Sequence, residues 1–264
     1  MSIETKRIRV KDFCCADSNK EVPRYPSSID EFEFAAEGTR RMLFAPLGNT
    51  PKAPRLAVVG ITPGGQIKKF KGYLQRHSVV DAARMAAFGG AEAVIKELLE
   101  AHGFLRALGL TYEGSINDSP AIFTTSLVKC CMINDGSYKF DAPDIENFQM
   151  ARRCVTERFV RDVERYRTLT HMVIFGAPGW SAIKCIKVEG RTVFDTLSSR
   201  GIKILNFPHF AQNYQQRELF KIPPEEDAAV LSRKPHLQPY YVAAKTMRDA
   251  VREEIRRIDG TLRN

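Results

Sequence analysis

Four short apolar runs constrain this chain more than any other feature. They are Arg55-Leu-Ala-Val-Val-Gly-Ile61, Ala121 to Val128, His171 to Phe175 and Gly201-Ile-Lys-Ile-Leu-Asn-Phe207. Three of them close on turn residues: Thr62-Pro63-Gly64-Gly65, Gly176 and Pro208. A continuous apolar stretch of strand length that stops at Pro or Gly suits a parallel strand buried on both faces. Helical periodicity fills the gaps between them. Val94, Ile95, Leu98 and Leu99 keep to one face with Gly103 as a stop, and Phe148, Ala151, Val155, Phe159, Val163 and Tyr166 recur every three or four residues. Val242, Met247, Val251, Ile255 and Ile258 repeat the pattern near the end. Strands alternating with helices predict an α/β fold, a three-layer α/β/α sandwich around a central, mainly parallel four-stranded sheet. Residues 1–54 form an irregular extension punctuated by prolines, with one helical candidate from Ser28 to Met42. No internal repeat divides the chain, so residues 1–264 are expected to form a single domain.

A hydrophobic fraction of 44% in 264 residues is enough for a sizeable core. Lys and Arg number 40 against 31 Asp and Glu, and the resulting +9 suits a polyanionic partner, although a solvated basic face has the same composition. Met1 to Val10 is charged, and no apolar run approaches the ~20 residues of a membrane helix. The six cysteines include the adjacent pairs Cys14-Cys15 and Cys130-Cys131, a poor disulfide framework. A cytoplasmic protein with reduced thiols is expected, with no membrane contact, no evident protein partner and a monomeric state.

In a parallel sheet of this kind, ligands bind outside the carboxyl ends of the strands. The first such end is Gly60-Ile61-Thr62-Pro63-Gly64-Gly65-Gln66. Its glycines allow close backbone approach and Pro63 stiffens the turn. The loop lacks the Lys-Ser/Thr of a Walker sequence and the G-x-G-x-x-G spacing of a dinucleotide fingerprint. Taken alone, it reads as a plain turn that reverses the chain after a buried strand.

Here the chain resembles the uracil-DNA glycosylase superfamily. Gly60-Ile-Thr-Pro-Gly64 is similar to that family's first motif, and Thr124-Thr-Ser-Leu-Val-Lys-Cys130 to the T-N-V-V-K-C strand of its iron–sulfur branches. Val173-Ile-Phe-Gly-Ala177 is similar to the strand that ends in Leu-Gly, and Asn206-Phe-Pro-His-Phe210 falls where the family carries H-P-S before a DNA-inserting loop. The ordered set covers residues from about 55 to 217. The resemblance implies a DNA glycosylase of base excision repair that flips a base from DNA and hydrolyses its glycosidic bond without a cofactor. It implies that a residue of the first motif positions water, that a second-motif amide reads the base, and that a late His stabilises charge on the base oxygen.

Residue by residue, the carry-over assigns Thr62, Gln66 and His209 to catalysis. Thr62 replaces the family's Asp or Asn, Gln66 is the alternative holder of water, and Phe207 stands in the histidine's place with His209 two residues on. Gly60, Ile61, Pro63, Gly64, Phe70, Tyr73, Ser126 and Asn206 are expected to bind the base, with Phe70 and Tyr73 as stacking rings and Ser126 in place of the base-reading Asn. Phe210, Tyr214 and Arg217 suit a loop that wedges into DNA and holds phosphates, to which Lys68, Lys69 and Lys71 add charge. Each has a plainer alternative: His209 as a structural histidine, Phe70 and Tyr73 as core aromatics, the lysines as solvated surface. Cys130 and Cys154 match two of four cluster ligands in the iron–sulfur branches, where an N-terminal C-x-x-C completes the set; adjacent Cys14 and Cys15 do not reproduce that pair. Two other functions fit the departures: an idle member that binds nucleic acid, or a hydrolase of nucleosides or nucleotides.

Overall fold

The structure, a computed structural model, describes residues 7–14 and 20–261. Its centre is a sheet of four parallel strands, β1 (Leu56–Gly60), β2 (Ile122–Ser126), β3 (His171–Phe175) and β4 (Lys203–Phe207). These are the four apolar runs, trimmed at their ends. β1, β2 and β3 are buried at every position, which explains why they read as unbroken hydrophobic stretches rather than alternating ones. Helices cover the sheet to give a three-layer α/β/α sandwich.

The spatial order is β2-β1-β3-β4. β1 pairs in register with β2 on one side and with β3 on the other. The order therefore reverses between β1 and β3, and the connections leaving those two strands diverge. A crevice opens at their carboxyl ends for that reason alone.

Six helices matter for the site and its supports: α1 (Ile67–Leu74), α2 (Val79–Ala86), α3 (Glu92–Glu100), α4 (Ala177–Cys185), α5 (Tyr214–Lys221) and α6 (Gln238–Thr261). The periodic stretch from Phe148 becomes a helical run over 149–164 with a π-helical turn at Cys154–Phe159. Among the described residues, no helix is long and apolar enough to cross a membrane.

The helix expected from Ser28 to Met42 is not there. After a 3₁₀ turn at Asp30–Phe32, Glu33–Glu37 and Arg40–Leu43 form an antiparallel hairpin, and Cys131–Asn134 adds a third strand. Gly38 and Thr39 break the helical run at its middle and close the hairpin. The third strand lies some ninety residues further along the chain, so no local pattern announces the pairing. This small sheet buries Phe32, Phe34, Met42 and Leu43 against the main core.

Candidate active site

A cleft of about 440 Å³ opens at the carboxyl end of the sheet, at the β1/β3 reversal. Its walls come from the loop after β1 (Ile61 to Gln66), the start of α4 (Gly176 to Pro178) and the loop after β4 (His209 to Asn213), with Lys69, Gly89 to Ala91 and Tyr138 to Phe140 completing the rim. No Asp or Glu lines it, whereas Lys69, Lys139 and His209 do. The first turn of α4 also faces the cleft and adds the positive end of a helix dipole.

His209 is the best-defined chemical group there. Its Nδ1 accepts the backbone N–H groups of Ala211 and Gln212, both at 3.1 Å. Two donors on one nitrogen assign the proton of the neutral ring to Nε2. Burial, aided by the Arg217 charge, pushes the pKa down from 6.5 to about 4, so the ring is neutral at physiological pH. Protonating Nδ1 would replace that acceptor with an N–H facing two other donors, which works in the same direction. Among the described residues no hydrogen-bond partner meets Nε2, so His209 is a neutral N–H donor at the wall of the cleft.

Gly176 makes room for that ring. Its φ of +91° suits glycine, and a Cβ there would lie 2.9 Å from His209 Cδ2. The Phe210 ring stacks on the imidazole, with centroids 4.8 Å apart, and Arg217 donates to the Phe210 carbonyl at 2.8 Å.

Beneath the cleft lies a narrow chamber of about 10 Å³, room for hardly one water. Gly60, Thr62, Gln66, Phe88, Ser126 and Phe210 are among its walls. Phe210 borders both spaces, edge-on to Phe88 and to Phe175 at 5.5 Å each. It is therefore an internal partition and not the exposed wedge expected of it.

Phe70, Tyr73 and Asn206 lie away from the cleft, whereas Thr62 and Gln66 line it with hydrogen bonds already made. Thr62 Oγ1 donates to the Cys130 carbonyl and accepts the Met132 N–H, both at 3.0 Å. Its hydroxyl is a strap that ties the β1 loop to the strand beginning at Cys131, which leaves it poorly placed to hold water. Gln66 lines the cleft, but its Oε1 accepts the Phe88 N–H at 3.0 Å. Phe70 is fully buried against Phe32 and Phe44 at 5.8 and 5.9 Å, on the core side of α1. Tyr73 belongs to a different groove and meets His77 edge-on. Asn206 lies within β4, does not line the cleft, and has a buried Oδ1 without a partner.

Ile61, Pro63 and Gly64 line the cleft, while Gly60 and Ser126 face the chamber. Tyr214, 63% exposed, starts α5 just past the rim, with the Arg217 guanidinium 5.5 Å from its ring centre. Phe88 is the aromatic that sequence reasoning missed. It has φ +53°, and Gln66 Oε1 and the Asn117 amide, which donates to the Ala87 carbonyl at 2.7 Å, hold its turn. The available signal was an aromatic directly before Gly89-Gly90, in a segment that otherwise reads as a helix end.

Cys130 and Cys154 are buried, and Cys154 Sγ accepts the Lys129 N–H at 3.1 Å. Among the described residues no three His, Cys, Asp or Glu side chains gather as metal ligands. Cys15 lies outside the described residues. Comparison with protein-family models and with curated proteins returns no match to this chain.

Proposed function

We propose that the cleft takes DNA and hydrolyses the N-glycosidic bond of a base turned into it, with uracil or a related deaminated base as substrate. The observation that carries this reading is His209, a neutral Nε2–H donor in a cleft without carboxylates. As the glycosidic bond breaks, its electron pair stays with the base and negative charge gathers on a ring carbonyl oxygen. Water adds to the anomeric carbon and releases a proton to solvent. A donor already aimed at that oxygen stabilises the charge without reorganising, an effect worth about 10²- to 10³-fold in rate. His209 cannot be the base that activates water, because its Nδ1 is occupied and its Nε2 carries the proton.

The chamber behind Phe210 has the materials of a slot for a planar ring: Phe88 as a wall, Ser126 Oγ and Gln66 as polar groups. A base enters it only when Phe210 swings aside. The missing carboxylates and the cations at the rim favour phosphate-bearing substrates.

A second reading, an idle member that binds nucleic acid without releasing bases, is favoured by the Thr62 strap, which leaves no first-motif group dedicated to water. The deciding test uses a labelled oligonucleotide with one uracil, incubated with protein and then treated with alkali to cut abasic sites. Cleavage at the uracil that His209→Ala abolishes supports the hydrolase. Salt-dependent binding without cleavage supports the idle binder.

A further inference from the structure

A second groove, of about 410 Å³, runs along the exposed side of α1 between Lys69 and His77. Lys69 lines both this groove and the cleft, so the two are neighbours that share one cation. The other walls are Gly72, Tyr73, Gln75, Arg76 and His77, without a carboxylate. Among the described residues, neither Lys69 nor Arg76 has an acidic partner. Arg24 extends the positive surface past the end of the helix: it donates to the His77 carbonyl at 3.3 Å and lies 5.6 Å from the ring centre of Tyr25, which is 55% exposed.

Gly72 is the unexpected residue. A glycine inside a helix costs about 1 kcal/mol relative to alanine. Packing does not require it, since a Cβ there would meet nothing within 4 Å. Its effect is to keep the floor of the groove low between Lys69 and Arg76. Lys69 lies in the helix and Arg76 in the turn that follows its last residue, so the two cations stand at opposite ends of the groove.

We infer that this groove is a subsite for the strand of a single-stranded nucleic acid as it leaves the cleft, with Lys69 and Arg76 on its phosphates and Tyr73 and Tyr25 against its bases. Cations that track a backbone beside exposed aromatic rings are what sequence-tolerant strand binding requires. The inference rests on the reading of the cleft as a nucleic-acid site.

The test is a fluorescence-anisotropy titration of single-stranded deoxyoligonucleotides with one uracil, lengthened stepwise on either side of it. Affinity should rise with length on one side only. Arg76→Ala should remove about tenfold of that gain and lower the salt slope by about 0.7, the value for one lost phosphate contact on a single strand. Gly72→Gln should also remove the gain while the melting temperature holds or rises, because a better helix former replaces glycine in open space. Neither variant should change binding of the shortest strand. If length adds no affinity, or both variants keep the gain, the groove assignment falls while the cleft reading stands. If no strand of any length binds, both fall together.

Discussion

The two ends of the parallel sheet each hold a histidine, buried at one end and half-buried at the other, and use it in opposite ways. At the amino end, His171 begins β3 with both nitrogens engaged: Nδ1 with Thr170 Oγ1 at 2.8 Å and Nε2 with Glu254 Oε1 at 2.9 Å. Glu254 on α6 also takes Arg257 at 2.6 Å and lies 3.6 Å from Lys203, the first residue of β4. Burial works against its charge, but the Arg257 and His171 hydrogen bonds outweigh that and hold its carboxyl low. That end is closed and saturated. At the carboxyl end, His209 has one nitrogen satisfied by backbone and one turned to an open cleft with no carboxylate. Burial lowers the pKa of both rings, so a shifted pKa does not distinguish them. An unspent donor beside open space does.

The largest expected separation is kinetic. His209→Ala should reduce single-turnover base release by about 10²- to 10³-fold with little change in melting temperature or DNA affinity. His171→Ala should do the reverse, lowering the melting temperature and leaving the rate per folded molecule intact. Equal effects of the two on rate would break the comparison.

Next in size is Glu254→Ala, which leaves His171 and its cationic neighbours without their shared anion. A loss of about 3 kcal/mol in urea unfolding is expected. A loss below about 1 kcal/mol would mean that α6 is held by its apolar face alone.

A pH series sharpens the contrast. The folded pKa of His209 is about 4 against 6.5 for the ordinary side chain, so the unfolded chain binds more protons between those values. Its contribution is full above about 6.5 and is lost as pH falls toward 4. Relative to His209→Gln, the wild type should lose on the order of 2 kcal/mol across that window in denaturant melts. Base release should stay flat with pH down to about 5 and fall below it. Parallel stability curves for the two proteins would contradict the buried neutral ring.

The smallest effect concerns Thr62. Thr62→Val removes both strap hydrogen bonds and leaves the Met132 N–H unpaired, at a cost of about 1–2 kcal/mol. Base release per folded molecule should change by less than about threefold. A much larger drop would restore Thr62 as a holder of water.

The sheet was legible because burial on both faces forces continuous apolar runs, and the cleft because ligand sites of such sheets gather at strand ends. The direction of individual side chains was not legible. Phe70 and Tyr73 are three residues apart on α1, yet one is wholly buried between Phe32 and Phe44 while the other borders an exposed groove. Only the antiparallel hairpin of the irregular N-terminal region, absent from any local pattern, brings in Phe32 and Phe44 at its two ends and decides which ring is inside.

Local chemistry in the sequence thus determined the strands, their parallel character and the loops that build the cleft, since each depends on a run of neighbouring residues. The tertiary structure alone decided that Thr62 is a strap, that Phe210 is a partition, that Phe88 borders the chamber, and that His209 turns a free donor to the cleft. Each of those outcomes depends on a partner distant in sequence or on a backbone turn that closes only when the layers meet.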